Sequence, residues 1–131
     1  MNWKIKLKKK NENKENLKLI ICFRFYLGIG TPPIITKTNN LLKELMGKSN
    51  KVACFFYYLK NEIFVNNLSK HIKNVLKNDK NIDKYSKSIL NYILAECLNI
   101  LGSKNEEIIN YFLESSKEIE NPASIFSIAY F

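Results

Sequence analysis

Histidine occurs once in this sequence, at position 71, and no carboxylate stands at helical spacing from it. Nucleophilic catalysis needs a Ser or Cys within reach of a base, and no such pairing is laid out along the chain. Four glycines are too few to build a phosphate-cradling loop with ease, and no P-loop, GxGxxG, HExxH or EF-hand pattern occurs. Glu44, Glu62 and Glu96 fall on separate expected helices, so no carboxylate pair is set by spacing. The expectation is a protein with no catalytic residues and no enzymatic activity.

Cysteine is also sparse. Cys22, Cys54 and Cys97 are odd in number, widely spaced and set among apolar neighbours, without a CxxC pair. With one histidine, a structural zinc site lacks ligands. Free thiols in a reducing, cytoplasmic setting are expected, with no metal and no cofactor. Long apolar runs are missing too. The longest candidate, residues 19–30, spans twelve residues with Arg24 in its middle, whereas a membrane-spanning helix needs about 20 apolar residues. A signal-like leader or membrane association therefore ranks third among the functional readings.

What the chain has in abundance is lysine. Its 131 residues carry a net charge of +9, but unevenly. Residues 1–40 hold nine basic and two acidic side chains, residues 41–80 eight and three, and residues 81–131 four and seven. A Lys-, Asn- and Ile-rich composition drift explains much of the total, yet uniform drift would not make acids outnumber bases in the last third alone. Such asymmetry points to a polyanion-facing region. It is also compatible with an acidic third that packs against the basic part and neutralises it.

Hydrophobic residues make up 46% and charged residues 25%, enough for one core in one domain of this length. Residues 1–30 are expected to form a basic hairpin or extended arm, and residues 38–131 a mainly α-helical core of five to six helices. Trp3, Ile5 and Leu7 alternate with lysines, and Leu17 to Leu27 alternate again after a polar break, which is a strand period. Pro32 and Pro33 form the connector. Thr38 or Asn39 then caps a helix carrying Leu41, Leu42, Leu45 and Met46, stopped by Gly47 as a C′ residue. Ser49 or Asn50 caps the next, with Val52, Phe55, Phe56 and Leu59 on one face and Ile63 and Phe64 extending the stripe. A further helix carries Leu68, Ile72, Val75 and Leu76. Residues 82–101 predict a central, largely buried helix, ended by Gly102. Ser103 and Glu106 form a capping-box pattern for a helix burying Ile108, Ile109, Phe112 and Leu113. Asn121-Pro122 opens the last helix.

Three sets of residues carry the functional expectations. The segment 39–60 resembles a helix-turn-helix, in which the second helix meets the DNA major groove through its first residues. Lys48, Ser49, Asn50 and Lys51 would then contact bases and phosphates. Lys43 departs from the pattern, standing where such motifs prefer a small buried residue. Tyr57 and Tyr58, flanked by Lys51 and Lys60, would serve as stacking faces in a different mode. His71 reads as a helix-surface residue without a role. The apolar tail, Ile125, Phe126, Tyr130 and Phe131, either docks on the core, marks a piece of a longer protein, or meets a protein partner or second copy. The sequence thus predicts a non-enzymatic nucleic-acid-binding protein acting through its basic first two-thirds. The alternative is a protein-interaction or oligomerising module.

Overall fold

The computed structural model describes residues 14–15, 17–22, 34–48, 50–117 and 120–129, apart from the side chains of Pro122 and Phe126. These residues are mainly helical and include no strand. Helix α1 comprises residues 14–15 and 17–22. It is followed by α2 (Ile35–Gly47), α3 (Lys51–Lys60), α4 (Val65–Asn78), α5 (Lys84–Ile100), α6 (Asn105–Ser115) and α7 (Pro122–Ile128).

Helix α5 is the axis of the fold. Every residue from Ser88 to Ala95 is buried, as are Cys97 and Leu98. A helix covered on all sides belongs in an interior, and α3, α4 and α6 all pack on this one. The surrounding helices contribute their own stripes: Leu42 and Leu45 from α2, Phe56 and Leu59 from α3, Leu68 and Ile72 from α4, Ile108 and Phe112 from α6. Tyr92 of α5 meets Phe112 at 6.0 Å between ring centroids. Removing apolar surface of this kind from water supplies about 2–3 kcal/mol per large side chain.

Local chemistry sets the helix ends. The Asn50 side chain accepts from the Ala53 amide to start α3, Asp83 accepts from Ser86 to start α5, and Asn121 accepts from Ala123 to start α7. These caps satisfy amides that have no partner inside their helices. Gly102, at φ +75, ends α5 in the left-handed region. Its amide donates to Asn99 O and that of Ser103 to Leu98 O, the paired bonds of a Schellman stop.

Several expectations are corrected. Residues 17–22 of the anticipated second strand are helical, and the first alternating run, residues 3–7, lies outside the described residues. The sequence LKLIIC is apolar enough to satisfy either period. Packing settles the choice: Leu19 and Cys22, three apart, are fully buried, while Leu17 and Ile21 are exposed. Helix α2 starts at Ile35, earlier than Thr38 or Asn39. Thr38 is instead a buried mid-helix residue whose hydroxyl donates to Ile34 O. Its carbonyl accepts from the Cys22 thiol, tying α1 to α2. Gly47 is the last residue of α2 and does not take up a left-handed C′ conformation. Helix α3 stops at Lys60, so Ile63 and Phe64 do not prolong its stripe. Ser103 does not form a capping box, because α6 begins at Asn105 and its N-cap is Lys104. On α6, Leu113 is exposed.

Candidate functional site

Two surface features gather the residues of interest, one basic and one aromatic. The basic one lies where α1 meets the end of α2. Lys14, Glu15 and Lys18 line it from α1 and Lys48 from the α2–α3 turn, around a cleft of about 380 Å³. Glu44 sits between two of these lysines, accepting from Lys18 at 2.6 Å and from Lys48 at 3.5 Å. The hydrogen bond and charge of Lys18, reinforced by Lys48, hold the Glu44 carboxyl below the ordinary carboxylate range. Lys43, on the same helix, is exposed.

From this cleft the chain crosses the short connection 48–50 into α3. Lys48 and Lys51 are exposed at its two ends, while Ser49 lies outside the described residues. The Asn50 side-chain oxygen accepts from the Ala53 amide at 3.0 Å, which holds this side chain at the start of α3. Lys60 is also committed: half-buried, its ammonium donates to Asn39 Oδ1 on α2, so it does not flank the tyrosines as expected. Beyond Lys51, α3 turns Ala53, Phe56 and Leu59 inward. Its outward side is aromatic. Tyr57 and Tyr58 are 39% and 40% exposed and meet edge to face at 6.0 Å.

The second feature is a groove of about 420 Å³ between α3 and α4. Phe55 and Tyr58 form one wall, Leu68 and His71 the other, and Ile63 and Phe64 close it at the turn. His71 lies edge-on to Phe55 at 5.4 Å and 74°, so it belongs to this surface and is not an isolated bystander. Phe64 is the N-cap of α4, with a left-handed backbone at φ +52, and its ring is 72% exposed. Glu62, two residues earlier, has the same positive φ. For a bulky side chain this backbone region costs about 1–2 kcal/mol, and the exposed ring recovers little of that by burial. Sequence spacing missed this groove because Ile63 and Phe64 continue the α3 pattern and no Gly or Pro announces the turn. The aromatic density of residues 55–64 was the available signal.

The acidic third is built differently. Ser88, Ser115, Asn121 and Ser124 form a buried cluster joining α5, α6 and α7. Ser88 Oγ donates to Ser115 O at 2.6 Å, and Ser115 Oγ donates to Ser88 O at 2.7 Å. Asn121 Nδ2 donates to both serine hydroxyls, and Ser124 Oγ donates to Ser115 Oγ. Their hydrogen-bonding capacity is spent on one another and on backbone. Burial raises the carboxyl of Glu96 above its ordinary value, while a bond from Ser127 opposes the shift. Of the tail residues, Ile125 is exposed on α7; the Phe126 side chain, Tyr130 and Phe131 lie outside the described residues. One ion pair described between the basic and acidic parts joins Lys73 to Glu107 at 3.2 Å.

Among the described residues, no three His, Cys, Asp or Glu side chains gather as metal ligands would. No described helix is long and apolar enough to cross a membrane. Comparison with protein-family models, curated proteins and solved structures returns no match for this chain.

Proposed function

We propose that this protein binds nucleic acid, without catalysing a reaction on it, through the basic surface of α1 and the α2–α3 turn. The observation that carries this is the convergence of Lys14, Lys18 and Lys48 on one cleft, from segments some thirty residues apart in the chain. The three lysines outnumber Glu15 and Glu44 beside them, leaving a net positive surface where a phosphate backbone can displace counterions. Lys51 extends the same surface across the turn. The connection 48–50 has the length of a helix-turn-helix link, which supports placing phosphates against Lys48 and Lys51.

Binding of a mixed-sequence duplex and of the corresponding single strands is measured by fluorescence anisotropy from about 50 to about 200 mM salt. The expected result is affinity that falls steeply with salt. The K14E/K18E/K48E variant should weaken binding about tenfold or more, with a shallower salt dependence. No binding to either form at low salt, or unchanged binding by the variant, overturns the proposal.

A second reading, an oligomerising or protein-interaction module, draws support from Ile125 on α7 and Leu113 on α6. The two helices pack together, and each exposes one of these large apolar side chains. It predicts concentration-dependent association in sedimentation, lost when both residues become Ser.

A further inference from the structure

Past its first turn, α3 presents the outside with tyrosine rings where a helix that reads a duplex would present hydrogen-bonding side chains to base edges. Asn50, the one amide at the right end of the helix, is held at the cap through its oxygen. Bases in a duplex are stacked inside it and cannot enter a groove between adjacent helices, whereas unpaired bases can. Resting on the function proposed above, we infer that the nucleic acid bound is single-stranded, with unpaired bases stacked in the α3–α4 groove on Phe64 and Tyr58.

Three observations converge on this. The groove offers aromatic rings that are open to a ligand: Phe64 is 72% exposed and Tyr58 40%. Every base has a π face, so stacking on such rings requires no particular sequence. Basic residues outnumber acids on its two helices. Lys51 stands one helical turn before Phe55 on the same side of α3, and α4 carries Lys70, His71, Lys73 and Lys77 with no acid in its fourteen residues. Of these His71 lines the groove, and Glu62 is the one acid at the turn beside it. Among the described residues Lys73 pairs with Glu107, and no acid pairs with Lys51, Lys70 or Lys77. An aromatic groove between two helices richer in bases than acids matches a ligand with flat base faces on an anionic backbone. Lastly, Lys51 lies three residues after Lys48, so only the short connection 48–50 separates the start of α3 from a residue that lines the basic cleft. Phe64, held in a costly backbone region with its ring in solvent, is the kind of strained residue that collects at ligand-gripping sites.

The test uses the full chain and three probes: a single strand of about 15 thymidines, the same strand with abasic sites throughout, and a duplex of equal length. The single strand should bind about tenfold tighter than either of the others. Phe64→Gly and Tyr58→Ala should each weaken single-strand binding several-fold and both together about tenfold or more, leaving duplex binding unchanged. Both residues are substantially exposed, and helical circular dichroism checks that the variants fold. Equal binding of the abasic strand, or unchanged single-strand binding by the double variant, overturns the inference. If duplex binding still depends on Lys14, Lys18 and Lys48, that result leaves the proposed function standing. Absence of binding to all three probes at low salt overturns both. A Glu-flanked amphipathic peptide that binds the wild type but not the double variant, when the thymidine strand binds neither, replaces the inference with a protein partner.

Discussion

The α5–α6–α7 part and the α2–α3–α4 part of this protein solve opposite problems. The first hides polar groups and satisfies them: four side chains, Ser88, Ser115, Asn121 and Ser124, close a hydrogen-bonded knot inside the core. Its turns use residues suited to them, with Gly102 in a left-handed stop and Asn121 before Pro122. The second leaves aromatic rings in solvent and places Glu62 and Phe64 in backbone conformations that suit glycine. Lysines dominate one and acids the other. The candidate site lies where the chain departs from local rules, as expected when binding surfaces are carried on a rigid scaffold.

The largest effect should come from the scaffold. Phe112→Ala opens a void against Tyr92 in a fully buried position and should cost about 4 kcal/mol. Urea unfolding measures this, and a loss below about 1 kcal/mol would show that α6 is not the support described. Next is Asn121→Ala, which removes the α7 cap and leaves the Ser88 and Ser115 hydroxyls one donor short. About 2 kcal/mol is expected, with the loss appearing first in amide exchange of α7. Phe64→Gly sharpens the contrast because its two effects have opposite signs. Relief of the left-handed backbone should stabilise the fold by about 1 kcal/mol, while single-strand affinity falls. A variant that loses both stability and affinity would instead make Phe64 part of the core.

The smallest effect concerns Glu96. Burial raises its folded-state pKa above the unfolded one, so ionisation is harder in the folded protein. This side chain therefore lowers stability as pH rises through the carboxylate range. Glu96→Gln, which keeps an oxygen for Ser127, should raise the urea midpoint at pH 7 and leave it unchanged below about pH 4. An equal gain at both pH values would place the effect in packing, not charge.

The scaffold was the more legible part in sequence, because its local signals agree with its packing. The wide stripe from Tyr85 to Leu101 reads as a buried helix and is one, except that Leu101 caps its end and is exposed; Asn50, Gly102 and Asn121-Pro122 mark ends by chemistry that acts locally. Where several local choices were nearly equal, tertiary packing decided. LKLIIC could follow either period and became helix because Leu19 and Cys22 fill the core. Asn39, read as a possible cap, is the acceptor for Lys60 twenty-one residues away, and no local pattern encodes that. At the candidate site, the importance of the Lys48–Lys51 turn and of Tyr58 was visible, but their partners were not. Lys14 and Lys18 joined the cleft through the placement of α1, and Phe64 and His71 joined the groove through an unsignalled turn.

The three thiols have a further use. Burial pushes Cys22 and Cys97 up to about 12, and both are walled off from solvent. Cys54, half-buried on α3 beside Phe55, is the only one of the three with any access in the folded state. Alkylating reagents attack the thiolate, so modification separates into one early event at Cys54 and two that wait for the protein to open. Cys22 reports the release of α1 from α2, and Cys97 the exposure of the axis itself. The native cysteines thus time the release of α1 and the unfolding of the scaffold as separate events.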